Sequence, residues 1–404
     1  MNVEKQNDKR PEANIPLRQV SKDKKLIRYM SADAFFAPES SFKAGEYCVD
    51  NCVMVAPYAK IRGGIVDIGD YSNIQDHVIV GSDSTETAVI GKNVSLAHQA
   101  KILGTHIHIG DGTLIDMKAE LDEATVGNNC VIEPGAVLRG VYIEDGMYVK
   151  AKTNIDGDMG LRDAIRKGLA GFIRDEPDYP YKNLNARVVH VNKELARGYN
   201  RLKEEGADLS TPVLQNPKVG WTTHRVSMPV AKAVAERGVK IIGPAMLEGD
   251  VEFGEGSVIR VDEGGIEEGT PISIGDGTVT GRNFVAHALE TSKKGNLIEK
   301  NTVEVGGRRY SIFIGEDVTM RDDVQIHGPA AVLYGCELGH NVLIFKGFLE
   351  EGVRVGRDSL IMARVGKNSV IGDDVFVGVD VPLATKIPSG ARIRTVKDLE
   401  KLRG

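Results

Sequence analysis

Residues 109–130, IGDGTLIDMKAELDEATVGNNC, decide the fold because they contain the motif that recurs along the chain. Each copy of the motif has an aliphatic residue, then Gly, then Asp, Glu or Asn within two positions, as in Ile109-Gly110-Asp111 and Val126-Gly127-Asn128. A period of six with one inward aliphatic residue per unit is the signature of a parallel β-helix. Three such units make one triangular coil, and glycine suits its tight corners. The stretch therefore predicts stacked coils around an aliphatic column.

The same motif recurs on both sides of these residues, in blocks spanning about 34–155 and 240–390. The further copies are Ile68-Gly69-Asp70, Ile90-Gly91, Phe253-Gly254-Glu255, Ile274-Gly275-Asp276, Ile314-Gly315-Glu316, Val355-Gly356 and Ile371-Gly372-Asp373. A β-sandwich with glycine turns is the rival fold, but it would show period-two strands without a fixed spacing of six. The sequence thus predicts an all-β protein with two parallel β-helices and a few flanking α-helices.

Composition limits both the core and the function classes. Aromatic residues are only 5% of the 404 residues, so the core must be aliphatic. A net charge of -6 disfavours a nucleic-acid partner, and no apolar run reaches the roughly 18 residues of a membrane span. The four cysteines show no CxxC spacing, which is typical of reduced thiols in a cytoplasmic protein. We therefore expect a cytoplasmic location.

Four segments follow from these patterns, and helical apolar spacing marks three stretches of flanking material. The helical stretches are 161–173, 191–205 and 229–238. The predicted segments are an N-terminal tail at 1–33, a first β-helix with C-terminal helices at 34–205, a linker and helix at 206–239, and a second β-helix at 240–404.

The two blocks are copies of one another. Residues 93–98 align with 317–322 at an offset of 224, and Ile68-Gly69-Asp70 aligns with Ile274-Gly275-Asp276 at an offset of 206. The difference corresponds to an extra loop around 292–309 in the second copy. A tandem duplication therefore explains the paired repeats.

Several longer strings in both copies closely resemble the acidic-loop branch of the gamma-class carbonic anhydrases. The strings are RVDEGG at 260–265, HALET at 287–291, IHGPAAV at 326–332, NIQD at 73–76, VSLAHQ at 94–99, VGNNCVIEPGAV at 126–137 and VVHVNKELARGY at 188–199. The resemblance covers most of the chain and implies two left-handed parallel β-helices. It also implies reversible hydration of CO2 to bicarbonate at a metal ion, Zn²⁺ or alternatively Fe²⁺ or Co²⁺. In that family three histidines bind the metal at an interface, two from one β-helix and one from its neighbour.

The resemblance places different site residues on the two copies. The second copy retains the same-helix pair, His287 and His327, together with the acidic-loop glutamates Glu263 and Glu290, which would move protons. At the position of the donated histidine it has Asp322.

The first copy is the complement. It retains the donated histidine as His98, and Asn73 and Gln75, which would orient the bound water. Its positions for the same-helix pair are Gly81 and Leu103, which offer no metal ligand.

Three interpretations of the site stay open at this point. His98 completes the pair His287 and His327, or Asp322 of a neighbouring chain does, or the metal is absent and the protein is an inactive scaffold or assembly subunit. An acyltransferase is a weaker alternative, because no long loop offers an isolated histidine base.

The family's need for a three-helix interface also predicts a homo-oligomer, a trimer of chains. Arg62 and Arg260 are expected to form interface salt bridges with Asp76 and Asp262 of neighbours.

Overall fold

The computed structural model describes residues 28–214, 217, 234, 236–261, 270–289, 291–293 and 296–402. Nearly all of the strand pairings within them are parallel and join successive coils, as a parallel β-helix requires. The predicted fold class, all-β with two left-handed parallel β-helices and few flanking helices, is confirmed.

The first β-helix has three faces, two of which are joined because two strands, Ser41–Val49 and Lys60–Ile68, bend around a corner. The joined faces contain Arg28–Met30, Ser41–Val49, Lys60–Ile68, Ile79–Val80, Thr87–Ile90, Lys101–Leu103, His106–Ile109, Glu120–Asp122, Thr125–Val126, Val137–Arg139, Tyr142–Ile143 and Asn154–Asp156. The third face contains Phe35–Phe36, Met54–Val55, Asn73–Ile74, Ser95–Leu96, Leu114–Ile115, Val131–Ile132, Met147–Val149 and Ala170–Phe172.

The second β-helix has three separate faces. The first face contains Val213–Leu214, Lys240–Ile242, Val258–Val261, Val285–Ala288, Gln325–His327, Leu343–Phe345, Leu360–Ile361, Phe376–Val377 and Arg392–Ile393. The second contains Ala245–Leu247, Thr270–Ile274, Val303–Val305, Arg308–Ile314, Ala330–Val332, Phe348–Leu349 and Arg364–Val365. The third contains Thr319–Met320, Glu337–Leu338, Arg354–Val355, Val370–Ile371 and Lys386–Ile387. A hairpin of Ser292–Lys293 and Asn296–Leu297 lies in the inserted loop.

The residues of the repeated motif fill the core of the coils and form their corners. The Ile and Val before each Gly point into the aliphatic column, where Ile109 and Val126 are fully buried. A Cβ on Gly110 would lie 2.5 Å from the carbonyl carbon of Gly127 in the next coil, so only glycine permits this stacking. Asn129 turns the corner with a φ of 53°, a conformation that asparagine tolerates better than most residues.

Three α-helices whose bounds lie within the described residues flank the coils. They are Gly157–Arg166, Leu184–Glu204 and Val396–Glu400, with short 3₁₀ turns at Ile173–Asp175 and Glu299–Asn301. The helix predicted at 161–173 begins and ends earlier, because Ala170–Phe172 instead pairs antiparallel with Met147–Val149. The helix predicted at 191–205 extends further towards its N-terminus, and the one predicted at 229–238 falls largely outside the described residues. None of the helices in the described part of the chain is long and apolar enough to cross a lipid bilayer.

Two strands of the β-helices lie outside the segments that the sequence predicts for them. Arg28–Met30, within the predicted tail, pairs with the strand Ser41–Val49. Val213–Leu214, within the predicted linker, pairs with Lys240–Ile242 and so extends the first face of the second β-helix.

The two β-helices pack against each other along their long axes. Apolar side chains from both meet at this interface, namely Ala97, Met117 and Ala151 with Leu343, Phe345, Leu360 and Phe376. Lysines of the first β-helix reach across it. Lys118 donates to Asn341 at 2.8 Å, and Lys152 forms an ion pair with Asp374 at 2.7 Å. This packing positions the site described next.

Candidate metal centre

Three histidines meet where the two β-helices pack together. One ring nitrogen from each of His98, His287 and His327 lies within 4.8 Å of the other two. His98 Nε2 is 2.6 Å from His287 Nδ1, and the ring centroids of His287 and His327 are 4.7 Å apart. His98 comes from the first β-helix and the other two from the second, so the cluster is built within one chain.

The register of one face brings His287 and His327 together. Arg260, His287, His327 and Phe345 are consecutive partners on four adjacent parallel strands. Adjacent strands are about 4.8 Å apart, so side chains in register form a column. The inserted loop lengthens the sequence between the two histidines without moving them out of this column.

A buried carboxylate orients His98. Asp76 Oδ2 lies 2.9 Å from His98 Nδ1 and 2.7 Å from Arg260 NH1, and the side chains of Asp76 and Arg260 are 0% and 1% exposed. Burial alone would raise the pKa of Asp76, but Arg260 and His98 outweigh it and hold that pKa well below its ordinary value. The ionised carboxylate favours a proton on Nδ1 of His98, which leaves the Nε2 lone pair facing the other two rings.

Burial favours the neutral form of both His98 and His327. Burial lowers the pKa of His98 to about 4, assisted by the charge that His287 would carry and opposed by Asp76. Burial likewise holds the pKa of His327 well below its ordinary value, with His287 and His98 acting in the same direction. His327 Nδ1 lies 3.1 Å from the Gly328 carbonyl oxygen, which favours a free Nε2. Neutral imidazoles are the form that binds metal ions.

The donor set fits a divalent transition metal. Three imidazoles with an open fourth position are the ligands of catalytic zinc sites, and imidazole also suits iron and cobalt. The short contact between the ring nitrogens of His98 and His287 requires one of them to carry a proton. A metal ion bound there would take a lone pair from each nitrogen, and the shared hydrogen would move to the other nitrogen of its own ring.

Two amides of the first β-helix lie beside this cluster. Gln75 lines the same cleft and donates through Nε2 to Asn73 Oδ1 at 3.2 Å, while Asn73 donates to Ser95 Oγ at 2.8 Å. Both side chains are buried. The hydrogen bond to Asn73 fixes the amide of Gln75 and leaves its carbonyl oxygen available to the cleft.

The structure places Asp322 apart from the three histidines. Its carboxylate accepts from the backbone N of Arg282 at 2.9 Å and from NH2 of the same residue at 2.8 Å. These contacts lower the pKa of Asp322 although burial opposes them. The acidic-loop residues Glu263 and Glu290 lie outside the described residues.

Arg260 contacts Asp76 between the two β-helices, at the kind of interface where a salt bridge was expected, but both residues belong to the same chain. Arg62 contacts Asp83 of its own β-helix, at 3.6 Å.

A cleft of about 450 Å³ leads to the histidines. The helix Leu184–Glu204 forms one wall through Leu184, Arg187, Val188, Val191 and Asn192. Asp116 and Lys346 also line the cleft, and the sequence analysis assigned neither of them a role. Each follows the end of a strand, and only the packing of the two β-helices shows that both face the same space as the histidines.

Comparison with known proteins finds relatives of both the repeat and the chain. Residues 106–140 match the Hexapep family, described as bacterial transferase hexapeptide (six repeats). A carbonic anhydrase of Methanosarcina thermophila is 38% identical over 188 residues, which cover 41% of this chain and 72% of that protein. The carboxysome assembly protein CcmM of a Nostoc species is 33% identical over 179 residues, covering 41% of this chain and 30% of its own length.

A solved structure with a hexapeptide fold is also similar. It is a hexapeptide transferase family protein from Anaplasma phagocytophilum, 22% identical, with a TM-score of 0.32, covering 42% of this chain and 90% of that one.

Proposed function

Because this chain belongs to the gamma-class carbonic anhydrase family, we propose that it catalyses the reversible hydration of CO2 to bicarbonate. The proposal places one divalent ion per chain on His98, His287 and His327. The observation that supports it most directly is the cluster of the three histidine nitrogens at the interface between the two β-helices.

A divalent ion held by three histidines supplies Lewis acidity, which brings the pKa of a bound water to about 7. The chain's own residues do the rest. Asp76 holds His98 in its orientation, and Arg260 keeps Asp76 ionised at the cost of burying a guanidinium. Gln75, fixed by Asn73, offers a buried amide that orients the nucleophilic water. The helix Leu184–Glu204 closes one side of the cleft, which limits competing solvent.

The ion is proposed to be Zn²⁺, with Fe²⁺ or Co²⁺ as alternatives that the same ligands accept. Asp322 is not part of the proposed set, because Arg282 already occupies its carboxylate within the chain. Glu263 and Glu290 keep their proposed role in proton movement, as the resemblance implies.

The trimer of chains remains a proposal, but the site no longer depends on it. Both contributions, the pair from the second β-helix and His98 from the first, come from one chain. Metal binding should therefore persist when the protein is diluted to its smallest assembly.

The test is metal content together with CO2 hydration. Protein purified anaerobically should contain about one equivalent of zinc, iron or cobalt per chain, and the loaded protein should hydrate CO2. His287→Ala should remove both, with Asp322→Ala as the matched control that retains both. Wild type that binds no more metal than His287→Ala would contradict the proposal.

The second candidate is a catalytically inactive assembly subunit, which the similarity to the carboxysome assembly protein CcmM favours. A metal-loaded protein with no hydration activity would support this candidate over the enzyme.

A further inference from the structure

Asp116 is a buried carboxyl group that the proposed metal set does not use. It follows the strand Leu114–Ile115, and Ala97, next to His98, donates its backbone N–H to Ile115 O at 2.8 Å. Asp116 therefore lies one coil, about 4.8 Å, from the coil that carries His98. Both residues line the same cleft.

One oxygen of Asp116 has no hydrogen-bond partner among the described residues. Oδ1 accepts from the backbone N of Met117 at 2.8 Å, whereas Oδ2 is buried and unpartnered. The whole residue is only 4% exposed. A buried oxygen without a partner beside a cleft is a place where a proton or a water molecule can bind.

The groups around Asp116 favour its neutral form at pH values below about 7. Burial, opposed by the Met117 N–H and Lys346 and assisted by Glu133 on the next coil, raises the pKa of Asp116 to about 7. Glu133 is itself held in place, since it accepts from Tyr179 OH at 2.8 Å and from Ala151 N at 3.0 Å. A group whose pKa lies near the working pH is an efficient proton acceptor and donor.

The rest of the cleft wall offers no second carboxyl group among the residues that the structure describes. Its charged and titratable groups are Arg187 on the long helix, Lys300 on the inserted loop, Lys346 in the second β-helix and the three histidines. Burial raises the pKa of Tyr181, and the charges of Glu133 and Asp116 act in the same direction. Asp116 is thus the acid that these elements surround.

We propose that Asp116 is the first group to accept the proton released when CO2 is hydrated, ahead of the acidic-loop glutamates, and that it passes the proton on towards solvent. This inference rests on the proposed function. CO2 and one water give bicarbonate and one proton, with no oxidation or reduction. The proton leaves the attacking water, travels through cleft water to Oδ2 of Asp116, and is removed by buffer when the carboxyl ionises again.

The kinetic test compares Asp116→Asn with Asp122→Asn, in which the same change removes an exposed carboxyl of the neighbouring strand. With the zinc- or cobalt-loaded protein, Asp116→Asn should lower kcat about tenfold or more in weak buffer. A concentrated small buffer should restore kcat, and kcat/KM should change less than about twofold, because CO2 conversion precedes proton release. Asp122→Asn should match wild type.

A second measurement does not need activity. In the metal-free wild-type protein, the infrared C=O band of one protonated carboxylic acid should disappear with a midpoint near pH 7, and this band should be missing in Asp116→Asn. Glu133→Gln removes the neighbouring negative charge and should move this midpoint, and the acidic limb of the kcat profile, to lower pH.

The outcomes separate the two proposals. A fully active Asp116→Asn in weak buffer, or no carboxylic acid band titrating near pH 7 in wild type, overturns the role of Asp116 and leaves the metal site intact. Wild-type protein that is loaded with metal but inactive overturns the proposed function, and the role of Asp116 with it.

Discussion

The two β-helices present the same column of positions with opposite chemistry. In the second, Arg260, His287 and His327 are in register, and the two histidines point to the site. In the first β-helix the corresponding residues are Arg62, Gly81 and Leu103. Their register follows from the strand pairing and from the hydrogen bond that Gly81 N donates to Ile102 O. The column thus has the same register in both β-helices, whereas only the second has histidines in it.

The position of the third histidine, which the resemblance assigns to the neighbouring β-helix, also differs between the two β-helices. In the first β-helix His98 lies against buried Asp76, and in the second the aligned residues are Asp322 and Arg282. The second pair is an exposed ion pair, with Arg282 68% exposed. Each β-helix therefore carries the histidines that face the other β-helix of the same chain. The comparison shows that the three histidines lie where the two β-helices meet.

The largest expected effect is a loss of metal affinity, and it should occur when His98 is replaced but not when Asp322 is. His98→Ala should lower metal affinity by at least about 100-fold, because two histidines alone make a weak site. Asp322→Ala should leave affinity unchanged. Titration of the metal-free variants with cobalt, followed by its visible absorption, measures both. Loss of binding in Asp322→Ala with retention in His98→Ala would reverse the assignment.

The next effect concerns the carboxylate behind His98. Asp76→Ala should reduce metal affinity about 10–100-fold, since it removes the group that orients the ligand. It should also cost about 3–5 kcal/mol of unfolding free energy, because the buried Arg260 loses the carboxylate at 2.7 Å. Urea denaturation measures the second effect. Arg282→Ala breaks the exposed ion pair with Asp322 and should cost under about 1 kcal/mol of unfolding free energy. Equal losses of unfolding free energy in the two variants would contradict this difference between the buried and the exposed pair.

The dependence of folding stability on pH should distinguish Asp116 from exposed carboxyl groups. Its pKa of about 7 in the folded chain lies above the unfolded value near 3.9, so the unfolded state releases the proton first. Stability should therefore fall as pH rises from about 4 to about 7, by at most about 4 kcal/mol, and level off above. Asp116→Asn should lack this slope in urea midpoints measured across that range. A parallel slope in the variant would show that other groups cause it.

The smallest expected effect tests whether the first copy can regain a site. Gly81 has a φ of 71°, and a Cβ there would lie 2.1 Å from Arg62 O. Gly81→Ala should cost about 1–3 kcal/mol because this backbone conformation strains other residues. The double variant Gly81→His, Leu103→His should bind no second metal equivalent. Two equivalents per chain would mean that the backbone adapts.

Much of the fold and half of the site could be predicted from the sequence. The spacing of the Ile-Gly and Val-Gly motifs predicted the coils, because each coil contacts only its neighbours and the repeat encodes those contacts. The pairing of His287 with His327 was implied by the resemblance to the carbonic anhydrases, in which these positions are the same-helix pair. Helix ends and the strand Val213–Leu214 were missed, since tertiary pairing rather than local periodicity determines them.

By itself, the sequence determined two β-helices with complementary sets of ligands, and it left His98 and Asp322 as alternatives. Only the tertiary structure brought His98 into the cluster and enclosed Asp116 beside it. The physical reason is that both outcomes depend on how two separate β-helices pack. Contacts such as Asp76 with Arg260 and Lys118 with Asn341 join residues far apart in the chain. A repeat of six residues carries no information about such contacts.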